Sequence, residues 1–556
     1  MTIVEPTYKQ IAKEKVRLRN DNFFKQWLIP EDELPGQEVT DVLKWIDKTG
    51  KYLSPLEHDI TNSDATTILN NIGQQIWTST EVTSAFCHRA SIAHQLTNCL
   101  SEVFFDKALK QAAQLDEYQN RTGKLIGPLH GLPISLKDNI NISGEATTIG
   151  IVNYCFNPEK IDKDCSLVVL LRQLGAVFYV KTNVPVAMMM PETKNHIYGE
   201  TLNPLNRSLS SGGSSGGEAA LVKLKGSVIG IGSDIGGSIR IPASFQNLYG
   251  LKPSFGRFPT YGTRSGLPGL ESVNSILGPM TNSIESLELI CKAIVENNPW
   301  EYDAKVIPLA WNNNFKLNDK LNIAILIDDG YVRPTPPIRR GIEEVRSKLI
   351  EAGHEVIEWE LELPPNSIHY KLSKLISKFF LSDGGSNVLQ NVKTTGEPLF
   401  PYMEMYGNSP ELSCSQLWQL QVERTKLIND YLQMWMQTNN KTSNNQIIDA
   451  IIMPATPFAG SPLGKFHDYV GYTSPFNLLD YSVGVFPVTR ADKTVDNEDQ
   501  PRETYYSNSD RKITNDYNAE QSHDGAVALQ CVCRKLEEEK VIEIMKLLGK
   551  LVGYHD

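Results

Sequence analysis

An α/β fold is the architecture this sequence predicts, on three observations. Short apolar runs, LPISLKDNI, GAVFYVKTNV and GSVIGIGSD, have the length and β-branched content of buried strands. Segments of helical period, such as SLVVLLRQL, lie between them. The alternation recurs after Gly278, with LNIAILID and IIDAIIMPA as further strands and Arg339 to Ala352 as a helix.

Taken in order, residues 1–58 read as a helical arm. Tyr8, Ile11, Val16 and Leu18 sit among basic residues until Pro30 to Pro35 break the pattern. The remainder, 59–556, reads as one large domain. From Thr61 to Tyr118 the period is helical, with amphipathic stretches at Ala65 to Ile76 and Ser101 to Leu115. Asn62, Ser63 or Asp64 is the cap of the first. Residues 127–280 are rich in Gly, Ser and Pro and form the core, and 367–437 read as a helical subregion. The polar stretch 491–523, containing DNEDQPRETYYSNSDR, reads as a long surface loop. LEEEKVIEIMKLLGKLV is a closing helix with Glu-to-Lys pairs on its polar face.

Bulk composition narrows the function. Asp and Glu outnumber Lys and Arg by 65 to 54, a net charge of -11. Such a chain repels phosphate backbones, so no nucleic-acid partner and no anionic membrane is expected. No run of about 18 apolar residues marks a membrane span; the most apolar stretch, Leu167 to Val180, is broken by Arg172 and Gln173. The 8 cysteines are scattered apart from Cys531 and Cys533, which suits reduced thiols in the cytosol rather than a disulfide framework or a zinc site.

The segment Ser208 to Arg240, SLSSGGSSGGEAALVKLKGSVIGIGSDIGGSIR, carries the chemistry. Its glycine clusters flank a buried strand, so they are no flexible linker. Three readings compete. Gly230-Ile231-Gly232 with Gly236 mimics a dinucleotide turn, but residues 236–270 lack the acid that would bind a ribose. Gly212-Gly213-Ser214-Ser215-Gly216 matches the G-x-S-x-G elbow of an α/β-hydrolase esterase, with His354, His369, His467 and His523 downstream, yet polar NPLNRSLSS precedes it where a strand is needed. In the third, Gly236 and Gly237 expose backbone N–H groups beside Ser238, GGSSGG supplies a second serine, and Lys137 ends the strand LPISLKDNI. Taken singly, Lys137 beside Asp138 reads as a surface ion pair, Ser214 as a turn residue, Ser238 as a helix N-cap and Arg240 as a salt-bridge partner.

GPLHGLPISLKDNI, GGSSGGE and GSDIGGSIRIPASFQNLYGLKPS together resemble the hallmark blocks of the amidase signature family, and KTNVPVAMM, GPMTNS and DYSVGVFP extend the likeness from about residue 60 to 545. The arm and FNLLDYSVGVFP most resemble fungal acetamidases. The resemblance implies a central mixed sheet covered by helices. It also implies a catalytic set of Ser238 as nucleophile, Ser214 as a bridging serine after a cis peptide at Gly213-Ser214, and Lys137 as base. It assigns the N–H groups of Ile235, Gly236, Gly237 and Ser238 to an oxyanion hole, Ser215, Asp234 and Arg240 to support, and Met188 and Gly213 to the substrate pocket.

That chemistry requires Lys137 to be neutral, which burial favours by disfavouring the ammonium. A hydroxyl both donates and accepts, so Ser214 suits a proton relay. The expected partner is a small-molecule amide, with no metal or nucleotide required, and a homodimer is compatible with the sequence. A glutamine-hydrolysing subunit of a tRNA-dependent amidotransferase shares the signature and is the alternative, although it usually lacks an arm like 1–58. Three departures stand out: Val222-Lys223-Leu224-Lys225, expected on a solvated helical face; Val186 and Ala187 near the pocket; and Cys531 with Cys533.

Overall fold

The computed structural model describes residues 7–156 and 163–554. The first six residues of the expected arm, 157–162 and the last two residues lie outside the described set. Among the described residues thirteen strands run in chain order: β1 Leu100–Val103, β2 Pro133–Lys137, β3 Val177–Thr182, β4 Lys194–Asn195, β5 Gly199–Glu200, β6 Ile229–Asp234, β7 Tyr249–Lys252, β8 Ile276–Thr281, β9 Asn322–Ile325, β10 Glu355–Glu358, β11 Ala450–Pro454, β12 Ser482–Arg490 and β13 Ala526–Cys533. Eleven form one sheet in the order β1-β3-β2-β6-β8-β7-β12-β13-β11-β9-β10, and β4 and β5 form a small hairpin. β3, β2 and β6 are parallel neighbours, as are β11, β9 and β10. The β6, β8, β7, β12, β13 and β11 pairings between these two groups are antiparallel, so the sheet is mixed.

The central strands β2, β3 and β6 are buried on both faces, which explains their unbroken apolar runs. Because β2 and β6 run parallel in register, Leu136 against Ile231, their carboxyl ends emerge side by side. Open sheets place ligands outside the carboxyl ends of such strands. Gly230 and Gly232 in β6 are needed for close packing: a Cβ on Gly230 would lie 2.4 Å from the Glu218 carboxylate, and one on Gly232 3.0 Å from Ser215 Oγ.

Several elements differ from the sequence reading. Ser101 to Val103 belongs to strand β1, and the helix begins at Phe105. Val103 and its neighbours satisfy a sheet edge that helical periodicity alone does not reveal. Asp64 is the cap of helix Ala65–Gly73, accepting from Thr67 N–H. Helix Pro55–Asn62 runs through the expected arm boundary at 58. The stretch 491–523 contains helices Asn508–Asp516 and Ala519–Ser522, with Asp510 buried and accepting from Arg502 and Arg333 N–H. Asp496 and Asp510 are buried, while much of the stretch stays exposed to solvent. Lys223 is buried, not solvated, and its ammonium donates to Asn247 O.

Helix Thr7–Asn20 lies along the sheet's outer strand. Arg19 donates to Leu100 O at 2.8 Å and Asn22 to Val103 O at 3.0 Å, covering carbonyls that an edge strand would leave open. Helix Ile368–Phe380 reaches the pocket described below through Ile376, Ser377 and Phe380. Among the described residues no helix is long and apolar enough to cross a membrane, and no group of three His, Cys, Asp or Glu side chains is arranged to hold a metal ion.

Candidate active site

Lys137 closes β2 and is fully buried. Its Nζ donates to Ser214 Oγ at 2.7 Å and to Ser233 Oγ at 2.9 Å, with Ser233 O at 3.3 Å. Ser233 sits at the carboxyl end of β6, so the parallel pairing delivers it to the lysine. Burial lowers the Lys137 ammonium from 10.5 to about 7, against the opposing pull of Asp234 and Glu218. Burial also raises the Glu218 carboxyl to about 7, although Ser135 and Thr182 hydroxyls donate to it. Near neutrality Glu218 is partly protonated, and the ionised Asp234 that favours the ammonium is itself paired with Arg240.

Asp138 does not pair with Lys137. It turns to Lys181, 3.0 Å away and equally buried, and accepts from Thr148 N–H. The expectation of a surface ion pair at 137 and 138 fails because both side chains are buried and Asp138, in the turn after β2, pairs with Lys181.

Ser214 follows Gly213 through a cis peptide bond and precedes helix Gly216–Lys223. No strand runs into this turn, so it is not a hydrolase elbow, and none of the four downstream histidines bonds to Ser214 or Ser238. His369 meets Tyr431, His467 meets Lys512, His354 accepts from Leu321 N–H and His523 from Lys493 N–H. A Cβ on Gly213 would lie 2.5 Å from Glu192 N, so the turn is packed to the backbone. Ser215 N–H donates to Ser238 O at 3.2 Å, which ties the two serine loops together. Ser215 Oγ reaches Ser233 O and N–H at 3.3 and 3.4 Å, joining both loops to β6.

Asp234 organises the Ser238 loop. Its carboxylate accepts from the N–H groups of Gly237 at 2.8 Å and Ile239 at 3.1 Å, and from Arg240 through two guanidinium nitrogens, each at 3.0 Å. Burial pushes this carboxyl up, but the Arg240 charge and the Asn477 amide more than offset it and hold it well below the ordinary range. Arg240 also donates to Thr473 O and Asn477 Oδ1, and Thr473 Oγ1 to Gly236 O. Ser238 is not a helix N-cap: helix Arg240–Phe245 begins after Ile239.

The oxyanion assignment needs one correction. Gly237 N–H is spent on Asp234, and Gly237 is buried away from the pocket with φ +136°. The N–H groups of Ile235, Gly236 and Ser238 have no protein acceptor among the described residues, and these three residues line the pocket.

That pocket encloses about 210 Å³. Gly213 and Ser238 lie on its wall with Met188, Met189 and Met190, and Phe380, Tyr402, Met405, Tyr406 and Phe466 make the remainder largely apolar. Asp468 is the charged residue in its lining. Val186 and Ala187 sit just behind, in the turn that carries Met188. Sequence reading missed Ser233, Glu218, Thr473, Asn477 and Asp468. Ser233 was the most accessible of these, standing beside Asp234 at the end of a predicted strand.

A mixed sheet under helices, with a buried lysine and two serine loops at its carboxyl edge, is the architecture of an amide hydrolase. The chain belongs to the amidase family, whose sequence profile, described as Amidase, matches residues 81–542. It is similar to the acetamidase of Emericella nidulans, 39% identical over 98% of each chain. It is also similar to the acetamidase of Aspergillus oryzae, 39% identical over 99% of each. Among solved structures, a fatty acid amide hydrolase superposes with a TM-score of 0.91 at 34% identity, covering 98% of this chain and 95% of that one. The chain is thus an amidase of amidase-signature fold.

Proposed function

We propose that this amidase cleaves carboxylic acid amides through a Ser238 acyl-enzyme, with Ser214 relaying protons to and from Lys137. The observation that carries the reading is the buried 2.7 Å hydrogen bond between Lys137 Nζ and Ser214 Oγ, beside a pocket walled by Ser238.

Neutral Lys137 accepts the Ser214 proton as Ser214 accepts that of Ser238, and Ser238 Oγ adds to the amide carbon. The carbonyl oxygen becomes an oxyanion facing the N–H groups of Ile235, Gly236 and Ser238. The proton returns through Ser214 to the amide nitrogen, the C–N bond breaks, and ammonia leaves an ester on Ser238. Water, deprotonated along the same path, attacks that ester. The acid leaves, and Ser238 regains its proton.

The substrate class follows from the pocket and the relatives. Two relatives bear the name acetamidase, which supports a small aliphatic amide as substrate. The pocket supports a broader range: a cavity of about 150 Å³ holds benzene, and this one is larger and mostly apolar. Neutral amides with aliphatic acyl groups from acetyl up to about six carbons are the class we assign. Ammonia release by the purified chain from acetamide, hexanamide and glutamine tests this. Release from the first two, lost in Ser238→Ala, is expected. Glutamine as the sole substrate would replace this reading with that of an amidotransferase subunit.

A further inference from the structure

The pocket wall at Tyr402 and Phe466 continues into a stack of rings that leads out of the site. The Tyr402 and Phe466 rings lie 3.8 Å apart and 14° from parallel. Behind Tyr402 comes Phe400 at 5.5 Å and 5°, and behind Phe400 comes His196 at 4.3 Å and 6°. Tyr8, from the N-terminal helix, closes the series edge-on to His196 at 5.7 Å and 70°.

Both ends of the series are fastened. Lys512 donates to Phe466 O at 2.8 Å, and His196 Nε2 lies 3.0 Å from Pro398 O, on the chain that carries Phe400 and Tyr402. The helix bearing Tyr8 is itself pinned by the buried Lys15–Glu102 ion pair at 2.5 Å and by Arg19 on Leu100 O. Ala12 packs with Val152, Cys155, Ile197 and Tyr198 in one apolar cluster. Nothing in the hydrolytic chemistry uses these contacts. Parallel rings transmit position because sliding one costs contact with the next.

We propose that the N-terminal helix is a specificity element: Tyr8, through His196 and Phe400, positions the Tyr402–Phe466 wall and so sets the length of acyl group the pocket accepts. This rests on amide hydrolysis at Ser238. An acetyl group occupies only the Ser238 end and does not reach the wall, whereas a hexanoyl chain lies against it. Tyr8 is a positioning residue, remote from the reacting atoms.

The test is steady-state ammonia release from acetamide and hexanamide by the full chain and by Tyr8→Ala, Tyr8→Phe and Phe400→Leu, with thermal melting to verify folding. Loss of one ring contact should lower kcat/KM for hexanamide by roughly three- to tenfold, carried by KM, and leave acetamide within about twofold. Tyr8→Phe keeps the edge contact and should behave as wild type. Phe400→Leu interrupts the stack from its middle and should reproduce the Tyr8→Ala pattern; it decides the matter if Tyr8→Ala does not fold. Parallel loss on both amides, or no change on either in both variants, would overturn the proposal. Wild-type enzyme releasing ammonia from neither amide would instead remove the chemistry on which it rests.

Discussion

Lys137 Nζ and Ser214 Oγ meet at 2.7 Å in a place closed to solvent, the lysine wholly buried and the serine nearly so. This relationship makes the lysine's protonation state the first thing an experiment should read. With its pKa lowered to about 7 by burial, Lys137 can take up the proton in the proposed mechanism only above that pH. We expect kcat/KM to rise tenfold per pH unit below about 7 and to level off above it. A profile flat from pH 5 to 9 would exclude Lys137 as the base.

The same shift has a consequence for stability. The folded chain releases the Lys137 proton near 7, the unfolded chain near 10.5. Between those values the unfolded state binds more protons, so this group's contribution makes the fold more stable as pH rises. Below about 7 the whole cost of burying an ammonium is felt. Lys137→Met, which keeps the volume without the charge, should therefore raise Tm more at pH 6 than at pH 9 while activity falls by about 10²–10⁴. Equal Tm shifts at both pH values would contradict the assignment.

Gly236 and Gly237 are neighbours with different tolerances. A Cβ on Gly236 would rest 3.5 Å from Phe380 Cζ, an ordinary contact at the pocket wall. On Gly237 it would lie 2.4 Å from Thr473 Oγ1, at φ +136°, where side chains are strained. Gly236→Ala is expected to fold normally and to penalise hexanamide more than acetamide. Gly237→Ala should lose activity on both amides and several degrees of Tm. Comparing Tm and the two kcat/KM values separates the pair, and identical behaviour would contradict the geometry.

Asp234 and Arg240 form a fully buried pair, 3.0 Å apart, beneath the Ser238 loop. Removing one partner leaves the other charge uncompensated, at a cost of about 3–5 kcal/mol. Asp234→Ala should show this in urea unfolding, together with loss of turnover, because Gly237 and Ile239 N–H lose their acceptor. Arg240→Lys keeps the charge but not the two-pronged contact, and is expected to recover only part of the stability. Wild-type stability in Asp234→Ala would show that the loop is held elsewhere.

Ser238→Ala should reduce turnover by about a million-fold, in line with removal of a serine nucleophile elsewhere. Circular dichroism should remain unchanged, since Ser238 Oγ makes no hydrogen bond among the described residues. Retained turnover would sink the acyl-enzyme route.

The central strands could be read in the sequence because both of their faces are buried and their apolar runs are unbroken. Lys137, Ser214 and Ser238 stood out through the blocks around them, although no spacing rule brings position 137 to position 214. What joins them is the parallel register of β2 and β6, a tertiary fact. Adjacency suggests a pair between Lys137 and Asp138, but the partner of Asp138 is Lys181 on the neighbouring strand, which no local pattern reveals. Residues 491–523 read as a surface loop and are largely exposed; the helices within it are hidden from the sequence, since buried Asp510 finds one of its partners, Arg333 N–H, far away in the chain. Gly237 was placed among the oxyanion donors because neighbours in a motif look equivalent until Asp234 takes one of them.

The tether on Arg240 carries a consequence for how the enzyme comes into being. Gln530, which accepts from Arg240 at 3.4 Å, follows it by 290 residues, and Asn477 and Thr473 also come late. During synthesis, Lys137, Ser214 and Ser238 all leave the ribosome well before the groups that brace the serine loop. A chain that stops short of β12 and β13 holds the three proposed reacting side chains without Gln530 to brace Arg240. The brace beneath the serine loop is thus complete only once Gln530 of β13 has been added.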